Sequence, residues 1–140
     1  NQFGLVGGEA NAIEPGKRML SAMTPTIVLR KDKPFMVLGT PGGSRIITTV
    51  LQIVVNVIDY DMDLQKAIDA PRIHHQWRPD SLFYEQGGLP PTLKRGLSAR
   101  GYTLVELKGE YGRAEGILVD RDGSYVGVTD QRGNGAAVGY

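Results

Sequence analysis

The apolar positions of the chain fall into short runs whose period changes from one to the next. Thr26 to Arg30 is β-branched and apolar, and Pro34 to Leu38 answers it across Lys31-Asp32-Lys33, a pattern that predicts a β-hairpin. The longest apolar run, Ile46 to Ile58, contains no turn signal and predicts a helix from about Ser44 to Tyr60. That helix is apolar nearly all round, so it has to be covered on most sides. Its valines and isoleucines are mediocre helix formers, which leaves tertiary packing to hold it. Asp63 stands where an N-cap would, ahead of a short helix, Leu64 to Ala70, that Pro71 stops. Arg72 to Pro79 reads as extended or loop, and Leu82 to Glu85 as a strand. Pro90-Pro91 opens a helix from about Thr92 to Arg100, with Gly101 at its C-terminal stop. Tyr102 to Leu107 is a strand. Gly116 to Asp120 and Ser124 to Thr129 flank Arg121-Asp122-Gly123, and Asp-Gly between apolar runs is a strong hairpin signal. Gly4 to Gly16 reads as loop, and the tail from Asp130 to Tyr140 is glycine-rich.

Two hairpins, further strands and three helices in alternating blocks suit an α+β sandwich of antiparallel sheet and helices better than a doubly wound parallel sheet. So many strands beside so apolar a helix also lead us to expect partner strands from outside the chain. A length of 140 residues suits one domain with a real core. Hydrophobic residues at 41% and charged residues at 22% are those of an ordinary globular protein, and a net charge of +1 gives no reason to invoke nucleic acid. The chain has no cysteine, which excludes disulfides, thiolate metal sites and cysteine nucleophiles, and suits an exported protein. No stretch reads as a signal peptide or a membrane span; Thr48, Thr49, Gln52 and Asn56 interrupt the most apolar run. Because the chain opens on Asn1 rather than Met, we expect a processed chain or a fragment.

The candidate chemistry centres on Gly39-Thr40-Pro41-Gly42-Gly43-Ser44-Arg45, between the strand and the apolar helix. A glycine pair at such a corner lets main-chain N–H groups approach a ligand closely. The first N–H groups of the helix are unsatisfied there and the helix dipole is positive, so the corner suits an anion. A phosphate, a carboxylate, an oxyanion formed only during a reaction, or no ligand and a plain tight turn all fit the local pattern. The lysine of a P-loop and the G-x-G-x-x-G of a dinucleotide site are both absent. His74 and His75 are adjacent, so in a strand they face opposite sides and cannot jointly hold a metal ion. They read as structural, one ring buried and one at the surface, with Trp77 as a packing residue. Asp59, Asp61 and Asp63 alternate like a calcium loop, but the glycine and closing glutamate of an EF-hand are missing, which leaves a solvated turn.

Four runs, Asn11-Ala12-Ile13-Glu14-Pro15-Gly16-Lys17-Arg18, Leu20-Ser21-Ala22-Met23-Thr24-Pro25-Thr26, the glycine corner, and Ala70-Pro71-Arg72-Ile73-His74-His75-Gln76-Trp77, closely resemble the γ-glutamyltranspeptidases, or glutathione hydrolases. The resemblance covers nearly the whole chain and ends at Gly139-Tyr140. It implies a single-domain fragment, residues 1–140, from the C-terminal portion of that family's small subunit. The implied fold is the four-layer αββα sandwich of the N-terminal nucleophile hydrolases, of which this chain would be part. The implied reaction is attack by the N-terminal threonine of a self-processed subunit on a γ-glutamyl amide such as glutathione. The γ-glutamyl group then passes to water, an amino acid or a peptide.

By the same resemblance, Gly42 and Gly43 form the oxyanion hole, and Ser21 is the first of two adjacent serines that hold the substrate α-carboxylate. The second of those serines is Ala22 here, a departure in the substrate-binding pair. The threonine nucleophile, the acidic residues for the α-amino group and the large subunit's arginine would lie before residue 1, since no Thr-Thr-His run occurs here. The implied partners are the large subunit and the remainder of the precursor. No cofactor or metal is implied, and the location is periplasmic or extracellular. Two alternatives stand beside this: a related acylase or poly-γ-glutamate-processing enzyme, or an inactive fragment acting as a binding module.

Overall fold

A computed structural model describes residues 7–19, 21, 23–109 and 111–140. Among the described residues, seven strands and three α-helices follow in order: β1 (Thr26–Arg30), β2 (Lys33–Gly39), α1 (Ile46–Ile58), α2 (Leu64–Asp69), β3 (Ile73–His74), β4 (Leu82–Glu85), α3 (Pro91–Ala99), β5 (Leu104–Leu107), β6 (Glu115–Val119) and β7 (Tyr125–Thr129). Both predicted hairpins form and join into one antiparallel sheet of order β1-β2-β6-β7. At the first hairpin, Lys31 and Asp32 both take positive φ, 52° and 60°, as a two-residue turn that matches the strand twist requires. Pro34 cannot donate to a ladder, and the sheet accommodates it: the β1–β2 register shifts between Val28 and Leu29, and β2 pairs β6 only from Met36 onward.

Alternation then sorts the side chains. Met36 and Leu38 of β2 and Val128 of β7 point inward, where α1 supplies Ile46, Val50, Ile53 and Val57 and α2 supplies Leu64, Ala67 and Ile68. The core is therefore a sheet with two helices on one face. The expectation that α1 is covered on most sides meets a one-sided helix, because Ile47, Leu51 and Ile58 stay exposed.

Asp63 caps α2 as predicted, its carboxylate accepting from the N–H groups of Gln65 and Lys66. The C-terminal carbonyls of α2 find side-chain donors: Ile68 O accepts from Arg72 and Arg132, and the carbonyls of Asp69 and Ala70 accept from Arg132. A second, small sheet has the order β3-β4-β5. Its β4 and β5 run parallel across α3, packing Leu82, Tyr84 and Leu89 against Leu97 and Leu104. This parallel unit departs from the antiparallel reading, since hydrophobic period marks a strand without saying which way its neighbour runs.

Candidate functional site

Strand β2 runs out at Gly39, and Thr40-Pro41-Gly42 carries the chain into a 3-10 turn, Gly43–Arg45, which leads into α1. Gly42 has φ +147° and Gly43 has φ +59°, both in the region that favours glycine. The turn closes through Arg45 N–H to Gly42 O at 3.1 Å. Among the described residues no hydrogen bond takes the N–H of Gly42 or Gly43. Two main-chain donors are thus available to an acceptor at the positive end of a thirteen-residue helix.

A second loop, absent from the sequence reading, closes over this corner. Arg113 N–H donates to Thr40 Oγ1 at 3.1 Å, and the Thr40 hydroxyl donates to Pro41 O at 2.7 Å. Gly112 has φ +77°, and a Cβ there would lie 3.0 Å from Thr40 Oγ1 and 3.3 Å from Pro41 O. Only glycine permits so close an approach of the two backbones. Arg72, itself buried, donates to Tyr111 O at 2.6 Å and fixes the start of the loop. Between the two loops lies a depression of about 190 Å³ lined by Pro41, Gly42, Arg45, Gly112 and Arg113. The guanidinium of Arg45 sits 4.8 Å from the centre of the Tyr111 ring.

The histidine pair behaves as read. His74 is buried against α1, with Nδ1 2.8 Å from Thr48 Oγ1 and Nε2 2.8 Å from Gln76 Oε1. The Gln76 amide nitrogen donates to Arg78 O, so its oxygen faces the ring. The hydrogen-bond network therefore assigns the proton of His74 to Nε2, and Nδ1 accepts. Burial lowers the His74 pKa; the Gln76 bond works against this, and the charges of Arg45 and His75 add to the lowering. His75 turns the other way, to Asp80 at 2.9 Å. Trp77 corrects its reading as a packing residue: it is 61% exposed, with the Arg78 guanidinium 4.3 Å from its ring centre. Among the described residues, no group of three His, Cys, Asp or Glu side chains could hold a metal ion.

Gly42 and Gly43 thus come together with Arg45, Gly112 and Arg113. Ser21 is exposed, its Oγ accepting from Met23 N–H at 3.3 Å, and no described contact joins it to the glycine corner. Ala22 lies outside the described residues. The sequence signal for the second loop is slight: an isolated Gly112 between an aromatic and a basic residue, far from the corner in the chain.

A family model described as Gamma-glutamyltranspeptidase matches residues 1–140. The chain is similar to the glutathione hydrolase proenzyme of Escherichia coli, 54% identical over 132 residues that cover 94% of this chain and 22% of that protein. It is similar to that of Pseudomonas aeruginosa, 44% identical over 140 residues, 99% of this chain and 25% of that protein. Among solved structures, it resembles a γ-glutamyltranspeptidase from Pseudomonas nitroreducens complexed with L-DON. That match has a TM-score of 0.87 and 44% identity, and covers 100% of this chain and 73% of the other. The chain therefore spans 22% and 25% of the lengths of these two curated relatives.

Proposed function

The chain belongs to the γ-glutamyltranspeptidase family, and from that premise we propose that it supplies one wall of an acyl-transfer site. The observation that carries the proposal is the pair of unbonded main-chain donors at Gly42 and Gly43 on the positive end of α1. When a nucleophile attacks a γ-glutamyl amide, the carbonyl oxygen becomes an oxyanion. Donors already aimed at that oxygen stabilise it without reorganisation. The nucleophile is a threonine from the polypeptide outside residues 1–140, generated when a proenzyme cuts itself. Its hydroxyl adds to the γ-carbonyl, the amine leaves with a proton, and water or a second amine then releases the γ-glutamyl group. Ser21 holds the α-carboxylate of that group, and the large subunit completes the site. Work outside the cytoplasm, in the periplasm or beyond, goes with this reading. Ala22, in place of a second serine, favours a second reading in which the acyl donor is a different γ-linked or acylase substrate.

Two substitutions in the complete, processed protein test the oxyanion role. In Gly42→Ala the new methyl meets only ordinary contacts at 3.8 Å, but φ +147° forces the backbone to move. Re-aiming one donor is expected to lower kcat by ~10²–10³. Ground-state binding changes far less, because the charge is not yet formed. Gly43→Asn is the companion: asparagine tolerates φ near +59°, so the backbone can keep its course and the N–H its aim. A Gly42→Ala enzyme that keeps full kcat would remove the role.

A further inference from the structure

Each of the two main-chain donors at the corner belongs to a peptide plane, and that plane also carries a carbonyl. Within a planar trans peptide the N–H and the C=O point in opposite directions, so whatever holds the oxygen also aims the hydrogen. For the Gly43 N–H the oxygen is Gly42 O, which accepts from Arg45 N–H at 3.1 Å as the turn closes. For the Gly42 N–H the oxygen is Pro41 O, and there the Thr40 hydroxyl donates to it at 2.7 Å. That hydroxyl is itself held, because Thr40 Oγ1 accepts from Arg113 N–H at 3.1 Å. A hydroxyl oxygen that takes an N–H on a lone pair turns its own hydrogen elsewhere, here onto Pro41 O. The bonds thus run in series from the second loop to the corner, and Arg72 fixes the start of that loop from the buried interior.

Glycine makes such a hold necessary. Without a Cβ, Gly42 takes positive and negative φ alike, so the Pro41–Gly42 peptide turns over at little cost. A turned peptide presents Pro41 O, an acceptor, where the acyl-transfer reading above needs a donor. A carbonyl facing a forming oxyanion repels it. Resting on that reading, we propose that Thr40 is a positioning residue: its hydroxyl holds Pro41 O and keeps the Gly42 N–H facing the reacting carbonyl. Thr40 acts through that peptide and not on the substrate.

The test uses the complete, processed protein and the first turnover of a γ-glutamyl anilide, in which release of the anilide reports acylation. Thr40→Val has nearly the same shape and lacks the hydroxyl. It is expected to slow acylation by about tenfold, the upper end of what one neutral hydrogen bond is worth. Half-saturating substrate should move by no more than about twofold, because the charge forms only in the transition state. Thr40→Ser keeps the hydroxyl and should keep nearly the full rate. Gly112→Ala, whose Cβ would lie 3.0 Å from Thr40 Oγ1, disturbs the same bond from the other loop and should be slow in the same way. A crystal structure of Thr40→Val should show Pro41 O swung from its place, a readout independent of turnover. An unmoved Pro41 O overturns the proposal whatever the rate. So does a Thr40→Val protein at full rate, or a serine variant as slow as the valine. A loss shared equally by substrate affinity and acylation makes Thr40 a general support and overturns it too. Gly42→Ala tells the two readings apart. If Gly42→Ala is slow and Thr40→Val is not, the hold falls and the oxyanion role stands. If Gly42→Ala acylates at full rate, the oxyanion role falls and takes the hold with it.

Discussion

Arg72 donates to Tyr111 O, Ile68 O and Asp130 Oδ2, each at 2.6 Å, and so joins the second site loop, the end of α2 and the segment after β7. Its partner Asp130 is buried and also accepts from Ala114 N–H at 2.8 Å and from Arg132. Arg132 in turn pairs with Glu85 at 2.6 Å. Breaking one partner of such a buried pair strands the other charge, so Arg72→Met and Asp130→Asn should each cost ~3–5 kcal/mol by denaturant titration of the complete protein. Burial alone would raise the Asp130 carboxyl. The N–H groups of Ala114 and Arg132 and the two guanidinium groups outweigh it and hold the pKa below the ordinary value. A depressed carboxyl binds its proton more readily in the unfolded chain. Its contribution to stability is therefore complete above about pH 4 and is lost as pH falls through the lower, folded value. Below about pH 4 the melting temperature should fall more steeply in the unsubstituted protein than in Asp130→Asn; parallel curves would remove Asp130 as the cause. None of this network is legible in Ala70-Pro71-Arg72-Ile73, which reads as extended chain. Two of the three groups that hold the Arg72 guanidinium lie 39 and 58 residues away along the chain. The glycine pair, by contrast, is legible because φ near +60° or +147° demands glycine locally.

At the scale of elements, what the sequence reveals is what short-range patterning controls. The two hairpins, α1 and the Asp63-capped α2 all form where period and turn chemistry place them. The strands β4 and β5 are legible too, but their parallel direction and the Tyr111–Ala114 loop depend on distant packing and leave no periodic trace. Gly116 shows how tight that packing is. It faces α2 from the middle of the sheet, and a Cβ there would lie 3.0 Å from Leu38 Cδ2, 3.1 Å from Ile68 Cδ1 and 3.3 Å from Leu64 Cδ2. These are ends of flexible side chains, so Gly116→Ala is expected to be absorbed with a small loss. Gly116→Val overfills the space between α2 and β6 and should destabilise by ~1–3 kcal/mol. Denaturant midpoints within error of each other for all three proteins would show that helix and sheet are looser than drawn.

For the whole molecule, the described chain makes a four-stranded sheet with α1 and α2 on one face, beside the smaller β3-β4-β5 sheet, and so supplies part of a four-layer αββα arrangement. The other face of the sheet is apolar and open. Register sets Ile27, Val37 and Ile117 in one row across β1, β2 and β6, and they are 65%, 38% and 45% exposed. Among the described residues the tail reaches this face, with Ala137 Cβ 3.1 Å from where a Gly127 Cβ would stand. Sheets in sandwiches pack through such rows, and a soluble protein rarely leaves so large an apolar face uncovered. Across the molecule, Ile47, Leu51 and Ile58 of α1 form a second open stripe. A polypeptide of residues 1–140 alone should therefore bind a hydrophobic dye strongly, self-associate, and lack hydrolysis of a γ-glutamyl anilide. The complete protein should do the reverse on each count. Ile117→Lys gives the sharper contrast: a lysine in that row improves the solubility of the isolated polypeptide, where the face is wet. In the complete protein the same lysine is buried against a second sheet and lowers stability by several kcal/mol, as an unpaired buried charge does. If Ile117→Lys leaves the complete protein's melting temperature unchanged, that face is open to water in the finished molecule and the sandwich is not closed there.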